Sequence, residues 1–317
     1  MTEAGAAQPR VTALGGGHGL AASLSALRRI TNRLTAIVTV ADDGGSSGRL
    51  RSEFGILPPG DLRMALAALC GDADIERTWA QVLQSRFAGQ GPLGGHAIGN
   101  LLIAGLWQQM GDPVAGLDMV AALLRVQGRV LPMSAVPLVI EADVIGADPS
   151  RPDELVRVVG QEAVALATGM ISDVRLTPSG PPAVSEAVTA ILEADYVVLG
   201  PGSWYSSVIP HLLVPELAQA IIRTPARRIL TMNLTTTKDE TDGYTASRHL
   251  EVLAQHMPAL RLNTVVVDPS FANDSHLASY AASLGATIVQ ADVRMRDGSP
   301  QHDPLKLAAV YAGIMHL

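Results

Sequence analysis

A single cysteine, Cys70, stands in a chain of 317 residues, so no internal disulfide can staple the fold. No cluster of Cys and His has the spacing of a zinc site either. Aromatic side chains make up only 3%. That disfavours a stacking platform for bases or sugars and leaves the core to Ala, Leu, Val and Ile. Charge is sparse as well, at 17%, with 23 basic against 30 acidic side chains and a net charge of −7. Such a surface is not built to hold a nucleic-acid backbone, and no nucleic-acid partner is expected. Long apolar runs are also missing. The uncharged stretch 87–111 is interrupted by Gln, Pro, His and Asn, and its densest apolar segment, 101–107, is seven residues long. A bilayer span needs about 20. Residues 1–10 lack the basic start and apolar segment of a secretory signal, so the expectation is a cytoplasmic protein without membrane insertion.

What is plentiful is apolar sequence, 48% of the chain, laid out in an alternation of strand and helix patterns. A short apolar run at 11–14 precedes glycines, and helical spacing follows over 20–30. Residues 34–40 (LTAIVTV) are apolar on both faces, as suits a central parallel strand. A glycine- and serine-rich loop is expected over 42–48. Four helices then fit 61–69, 75–87, 97–110 and 113–126. That block is too long for one crossover and predicts a helical insertion over about 61–127. From about 131 to 178, short strands at 137–145, 156–159 and 174–176 predict a small antiparallel accessory region. Strands at 196–199, 228–232, 264–267 and 287–290 then alternate with helices, and a helix from Asp303 ends the chain. The pattern predicts one α/β domain over 1–317, a doubly wound, mostly parallel sheet with these two additions.

In an open parallel sheet, ligands bind beyond the carboxyl ends of the strands, and unusual loops fall there. Gly15, Gly16, Gly17, His18 and Gly19 lie between the first strand and its helix. Glycines let backbone N–H groups approach a phosphate, and the helix N-terminus adds a favourable dipole. The spacing Gly17-x-Gly19-x-x-Ala22, with Asp42 at the end of the second strand, also fits an NAD(P) site. Asp42 and Asp43 open a second cradle, Gly44, Gly45, Ser46 and Ser47, with Arg49 on its far side. Paired carboxylates beside a phosphate cradle are what a bridging Mg²⁺ needs; a plain Asp-Gly turn is the alternative. Asp61 is a helix N-cap candidate. Arg63, in the same first turn, opposes the helix dipole and so is expected to face an anion rather than a surface carboxylate. His96 and Asn100 stand four apart, on one helical face. Gly200, Gly202, Ser203, Tyr205 and Ser206 follow a strand and repeat the design of the first loop, with hydroxyls added. The polar stretch 233–241, with Asn233 and Thr237, is placed to read a base or sugar. Arg294 and Arg296, with His302 and Lys306, gather positive charge after the last strand. At least one of the two arginines is expected on a phosphate or the sugar.

Taken together, GGGHGL (15–20), VTVADDGGSSGRLR (38–51), PPGDLR (58–63), GHAIGN (95–100), GPGSWYSS (200–207) and His302-Asp303-Pro304 resemble the CofD-like superfamily. Within it they resemble the YvcK branch of bacterial cell-shape and gluconeogenesis factors, and the resemblance runs through the whole chain. It implies a Rossmann-like core, a cytoplasmic protein and a nucleotide-diphosphate ligand, UDP-sugars such as UDP-N-acetylglucosamine leading. It also implies a role in morphogenesis during growth on gluconeogenic carbon, through protein partners the sequence does not name, with homo-oligomers left open. Three departures stand out. His18 replaces the usual threonine of the first loop, 234–241 lacks the Gln and Gly of the usual sugar-side motif, and GPGSWYSS stands for GPGSLYTS.

Three functions compete on these residues. The foremost is a nucleotide-sugar-binding regulator without turnover. Next is a metal-dependent phospholactate-type transferase using Asp42 and Asp43; the typical NTGDD of those enzymes is here Val40-Ala41-Asp42-Asp43. An NAD(P)-binding oxidoreductase rests on the glycine spacing alone. No cofactor other than Mg²⁺ enters any of the first two.

Overall fold

The computed structural model describes residues 8–148, 150–234 and 240–317. Seven strands, β1 (Val11–Gly15), β2 (Leu34–Val38), β3 (Arg129–Pro132), β7 (Tyr196–Leu199), β8 (Arg227–Thr231), β9 (Thr264–Val267) and β10 (Thr287–Gln290), form one sheet. Their spatial order is β10-β9-β8-β7-β1-β2-β3, and every pairing is parallel. β1 (VTALG) and β9 (TVVV) are buried along their whole length, because helices cover both faces of an all-parallel sheet. The chain builds outward from β1 through β2 to β3, then returns to β1's other side at β7 and builds the opposite way. The carboxyl ends of β1 and β7 therefore flank the point where the winding reverses, which is where such sheets open a crevice.

β1 runs directly into α1 (Gly17–Leu27), which buries Leu20, Leu24 and Leu27. α2 (Gly45–Phe54), α3 (Gly60–Ala68), α4 (Asp74–Gln84), α5 (Ile98–Met110) and α6 (Pro113–Leu124) separate β2 from β3. The α5–α6 corner is set by local chemistry. Gly111 at φ 69° ends α5, and Asp112 caps α6 by accepting the Val114 and Ala115 N–H groups at 2.8 and 3.0 Å, with Pro113 in the first turn. After β3 comes an antiparallel sheet ordered β5-β4-β6, built from β4 (Val139–Ile145), β5 (Leu155–Val159) and β6 (Met170–Thr177), with the short α7 (Gln161–Ala165). α8 (Ser185–Leu192), α9 (Pro215–Arg223), α10 (Ala246–His256) and α11 (Leu277–Ser283) link the remaining strands. α12 (Pro304–Met315) then returns to pack on α1, on which α3 also rests.

The structure redraws three stretches of the sequence reading. The expected loop 42–48 becomes α2 from Gly45 onward, because Ser46 and Ser47 are buried under α5 and their hydroxyls find partners there. Residues 131 and 132, grouped by sequence with the accessory strands, belong to β3 at the edge of the main sheet, paired through Leu131 with Ile37 and Pro132 with Val38. The second insertion helix stops at Gln84 rather than 87, and Arg86 forms a β-bridge with Ala97 instead. Among the described residues, no helix is long and apolar enough to cross a membrane.

Candidate functional site

Two glycine loops meet backbone to backbone at the reversal point. A Cβ on Gly19 would run into the Pro201 carbonyl and come within 2.7 Å of the Gly202 Cα, so only hydrogen fits there. One on Gly16 would lie 2.5 Å from both Asp61 Oδ2 and Thr39 Cγ2. Gly17, at φ +57°, is different: it needs the left-handed conformation, yet its Cβ direction is open space. α1 starts there with no side-chain cap and no acidic residue in its first turn, and the N–H groups of His18 and Gly19 have no acceptor among the described residues. The free donors and the positive end of the dipole are thus presented to solvent.

What they face is a crevice of about 990 Å³. Its floor is α1, through His18, Gly19, Ala22 and Ser25. Pro201, Gly202, Ser203 and Asn233 border it at the sheet. Met64, Ala68, Ala80, Gln81 and Gln84 of α3 and α4 make one wall, and Met295, Pro300, Gln301, His302 and Pro304 make the other. No Asp, Glu, Lys or Arg lines it among the described residues.

The second loop is fixed by its neighbours. Asn233 pairs with Gly202 in both directions, accepting from its N–H at 3.0 Å and donating to its carbonyl at 2.9 Å. Thr231 Oγ1, Tyr311 Oη and Ser23 Oγ follow at 2.9 Å steps, and the Ser23 hydroxyl donates to the Gly200 carbonyl at 3.1 Å. With that proton committed, Tyr311 must donate to Ser23 and Thr231 to Tyr311, so β8, α12, α1 and the loop share one directed chain. His211, fully buried, stands between the Ser207 and Ile37 carbonyls at 3.0 and 3.1 Å, and burial pushes its pKa down to about 4. Ser206 is buried, and Tyr205 pairs its hydroxyl with that of Tyr244 at 2.9 Å, its pKa raised by burial.

A polar cluster lies behind the first loop, where Asp61 meets Gly16. Ser46 Oγ meets His96 Nδ1 at 3.0 Å and accepts from Asn100 Nδ2 at 3.0 Å; Arg63 Nε donates to Asn100 Oδ1 at 2.9 Å and its Nη1 to Gln84. Arg63 thereby ties the cluster to the crevice wall. Burial and the nearby Arg49 hold the His96 pKa down. Asp61, 8% exposed, leaves its Oδ2 without a partner beneath Gly16. Burial and the neighbouring Asp42 push its carboxyl up to about 7, against the pull of the Gly17 N–H and Arg63.

The two aspartates of the second cradle part company. Asp42 Oδ1 accepts from the Gly44 N–H at 3.0 Å, and its Oδ2 lies toward Gly60 and Asp61. Asp43 turns to the accessory region, where it accepts from the Glu162 N–H at 3.1 Å and lies against Gly160. Among the described residues, no group of three or more metal-ligating side chains forms. Gly45 is exposed and Ser47 is buried beside Asn100. Arg49 donates to the Pro92 and Gly94 carbonyls at 3.4 and 3.0 Å. Arg294 donates to the Leu234 carbonyl and to Asp268 at 3.1 and 3.2 Å, while Arg296 is exposed and off the crevice walls. Thr237 lies outside the described residues. Of the sequence candidates, then, His18, Gly19, Gly202, Ser203 and Asn233 border the crevice, and Asp42, Ser46, Ser47, Asp61, Arg63, His96 and Asn100 form the cluster behind the first loop. Sequence reasoning missed Met64, Gln81 and Gln84, which carry no motif, and Thr39, Tyr311 and His211, which look like ordinary core residues until their partners are known.

Comparison with known proteins agrees with this architecture. Residues 11–303 match the family model described as "2-phospho-L-lactate transferase CofD". A Mycobacterium tuberculosis (strain CDC 1551 / Oshkosh) relative, named as a gluconeogenesis factor, is 55% identical over 310 residues, covering 96% of this chain and 90% of its own. The gluconeogenesis factor of Bacillus subtilis (strain 168) is 39% identical over 262 residues, covering 82% and 79%. The crystal structure of a UPF0052-family protein from Bacillus halodurans superposes with a TM-score of 0.82 at 36% identity, covering 95% of this chain and 98% of that one. The chain belongs to the CofD family, in the branch of the gluconeogenesis factors.

Proposed function

We propose that this protein is a cytoplasmic nucleotide-sugar-binding regulator, with UDP-sugars such as UDP-N-acetylglucosamine as ligands, that serves cell shape during growth on gluconeogenic carbon. One observation carries the ligand class: the uncapped N-terminus of α1 borders, through His18 and Gly19, a crevice whose walls carry no charged side chain among the described residues. An anionic centre suits the free donors, and neutral moieties suit both walls, which is the charge pattern of a diphosphate with a base on one side and a hexose on the other. A 990 Å³ crevice is large enough for such a ligand. The names of the relatives support the link to gluconeogenic growth; the part in cell shape rests on the sequence resemblance alone.

A second reading has its own observation. Asp61, buried with an unpartnered oxygen and a pKa near 7 next to Asp42, is what a transferase would place beside a reacting hydroxyl, with a divalent cation on the same two carboxylates. Calorimetry separates the two. The regulator binds UDP-N-acetylglucosamine in excess EDTA and returns it intact, as chromatography of the nucleotide will show. Binding only with Mg²⁺, together with release of UDP or UMP, contradicts the regulator and supports the transferase.

A further inference from the structure

The two walls of the crevice differ in chemistry, and that difference distinguishes the ends of the ligand. On the α4 wall, Gln81 and Gln84 offer amides, as hydroxyls and an acetamido group require. The opposite wall sets Met295, Pro300 and Pro304 around His302. Thioether and pyrrolidine surfaces suit the apolar faces of a base in a chain this poor in aromatics.

The imidazole is held in one tautomer. His302 Nε2 lies 3.1 Å from the Met232 carbonyl oxygen, which can only accept, so Nε2 carries the hydrogen. Burial, with Arg294 nearby, keeps the ring neutral. The lone pair is therefore on Nδ1, which has no partner among the described residues. The next residue anchors the backbone that carries the ring: Asp303 N–H donates to the Val293 carbonyl at 2.7 Å, and Asp303 Oδ1 caps α12 by accepting from the Leu305 N–H at 2.8 Å. Among the described residues no carboxylate lines the crevice to compete with Nδ1, while Asn233 Oδ1 already accepts from Gly202 and Gln84 Oε1 from Arg63.

We propose that His302 reads the nucleobase, accepting at Nδ1 a hydrogen bond from the imide N–H of a uracil-type base packed between Met295 and the two prolines. This rests on the nucleotide-sugar reading above. It is tested by titrating UDP and N3-methyl-UDP into the wild type, His302→Gln and His302→Asn, with melting curves to verify folding. In the wild type, methylation should cost about tenfold or more in affinity, the size of one lost hydrogen bond with an orphaned partner. In His302→Gln the side-chain nitrogen can still donate to Met232, but no acceptor stands at the Nδ1 position, so methylation should cost less than about twofold. His302→Asn places its amide oxygen near the Nδ1 position and should recover part of the discrimination. An equal methylation penalty in the wild type and in folded His302→Gln overturns the assignment of His302 while leaving UDP binding intact. Failure of UDP to bind the wild type overturns this proposal together with the reading beneath it.

Discussion

Asp61 concentrates the physics of the site in one side chain. Its carboxyl is out of water beneath Gly16, near a second carboxylate, with an oxygen that nothing satisfies. Its folded pKa of about 7 exceeds the ordinary 3.8, so the folded state holds the proton more tightly. The contribution to stability is fully present below about pH 3.8 and is lost as pH rises through 7. Asp61→Asn removes that loss. Denaturant melts should show the variant more stable than wild type at pH 8, by up to about 4 kcal/mol, with the gap narrowing as pH falls below 7 and gone only near pH 3.8. A gap that does not change with pH would contradict the assignment. The sequence placed Asp61 as a helix N-cap and Arg63 as facing an anion; α3 instead has Pro59 at its N-cap, and Asp61 lies inside the first turn with no capping bond. Sequence alone could not show that Asp61 would be sealed under a glycine, nor that Arg63 would find Asn100 and Gln84, because those partners are 21 to 37 residues away along the chain.

Elements, more than single residues, hold the two glycine loops together. The chain Thr231–Tyr311–Ser23–Gly200 joins a strand, two helices and a loop through hydroxyls that are all buried. Tyr311→Phe removes its centre, leaving the Thr231 hydroxyl without an acceptor, and should cost about 1–3 kcal/mol in urea unfolding. UDP-sugar affinity should fall with it, because Gly200 starts the loop that borders the crevice; unchanged stability would show that water replaces the phenol. α2 shows why an element can escape sequence reading. Glycine and serine at 44–48 are poor helix formers, and the stretch reads as a loop. The helix forms because burying Ser46 and Ser47 against Asn100 supplies from tertiary contact what local propensity withholds. The short α7 is anchored in a similar way, by Asp43 from 119 residues earlier in sequence.

At the scale of the molecule, the winding of the sheet was legible because buried parallel strands such as LTAIV and TVVV have no polar face, and because glycines mark the loops at their carboxyl ends. β3 was not: four residues ending in proline, at the sheet edge, carry too little pattern to separate them from the strands that follow. The glycine loops were legible for the same reason the strands were, since a close backbone approach leaves a compositional trace. The crevice walls left none, being Ala, Met, Gln and Pro brought together from α3 and α4 and from the segment after β10, more than 200 residues later. The central claim is that an anionic ligand sits on the α1 N-terminus, and Gly17 tests it. Alanine there meets no protein atom within 4 Å, so the fold should survive with a penalty of about 1 kcal/mol for the positive φ, while the methyl group occupies space the diphosphate needs. Calorimetric titration of UDP-N-acetylglucosamine should show saturable binding to the wild type and a loss of at least about tenfold in a folded Gly17→Ala protein; undiminished affinity in that variant would contradict the account.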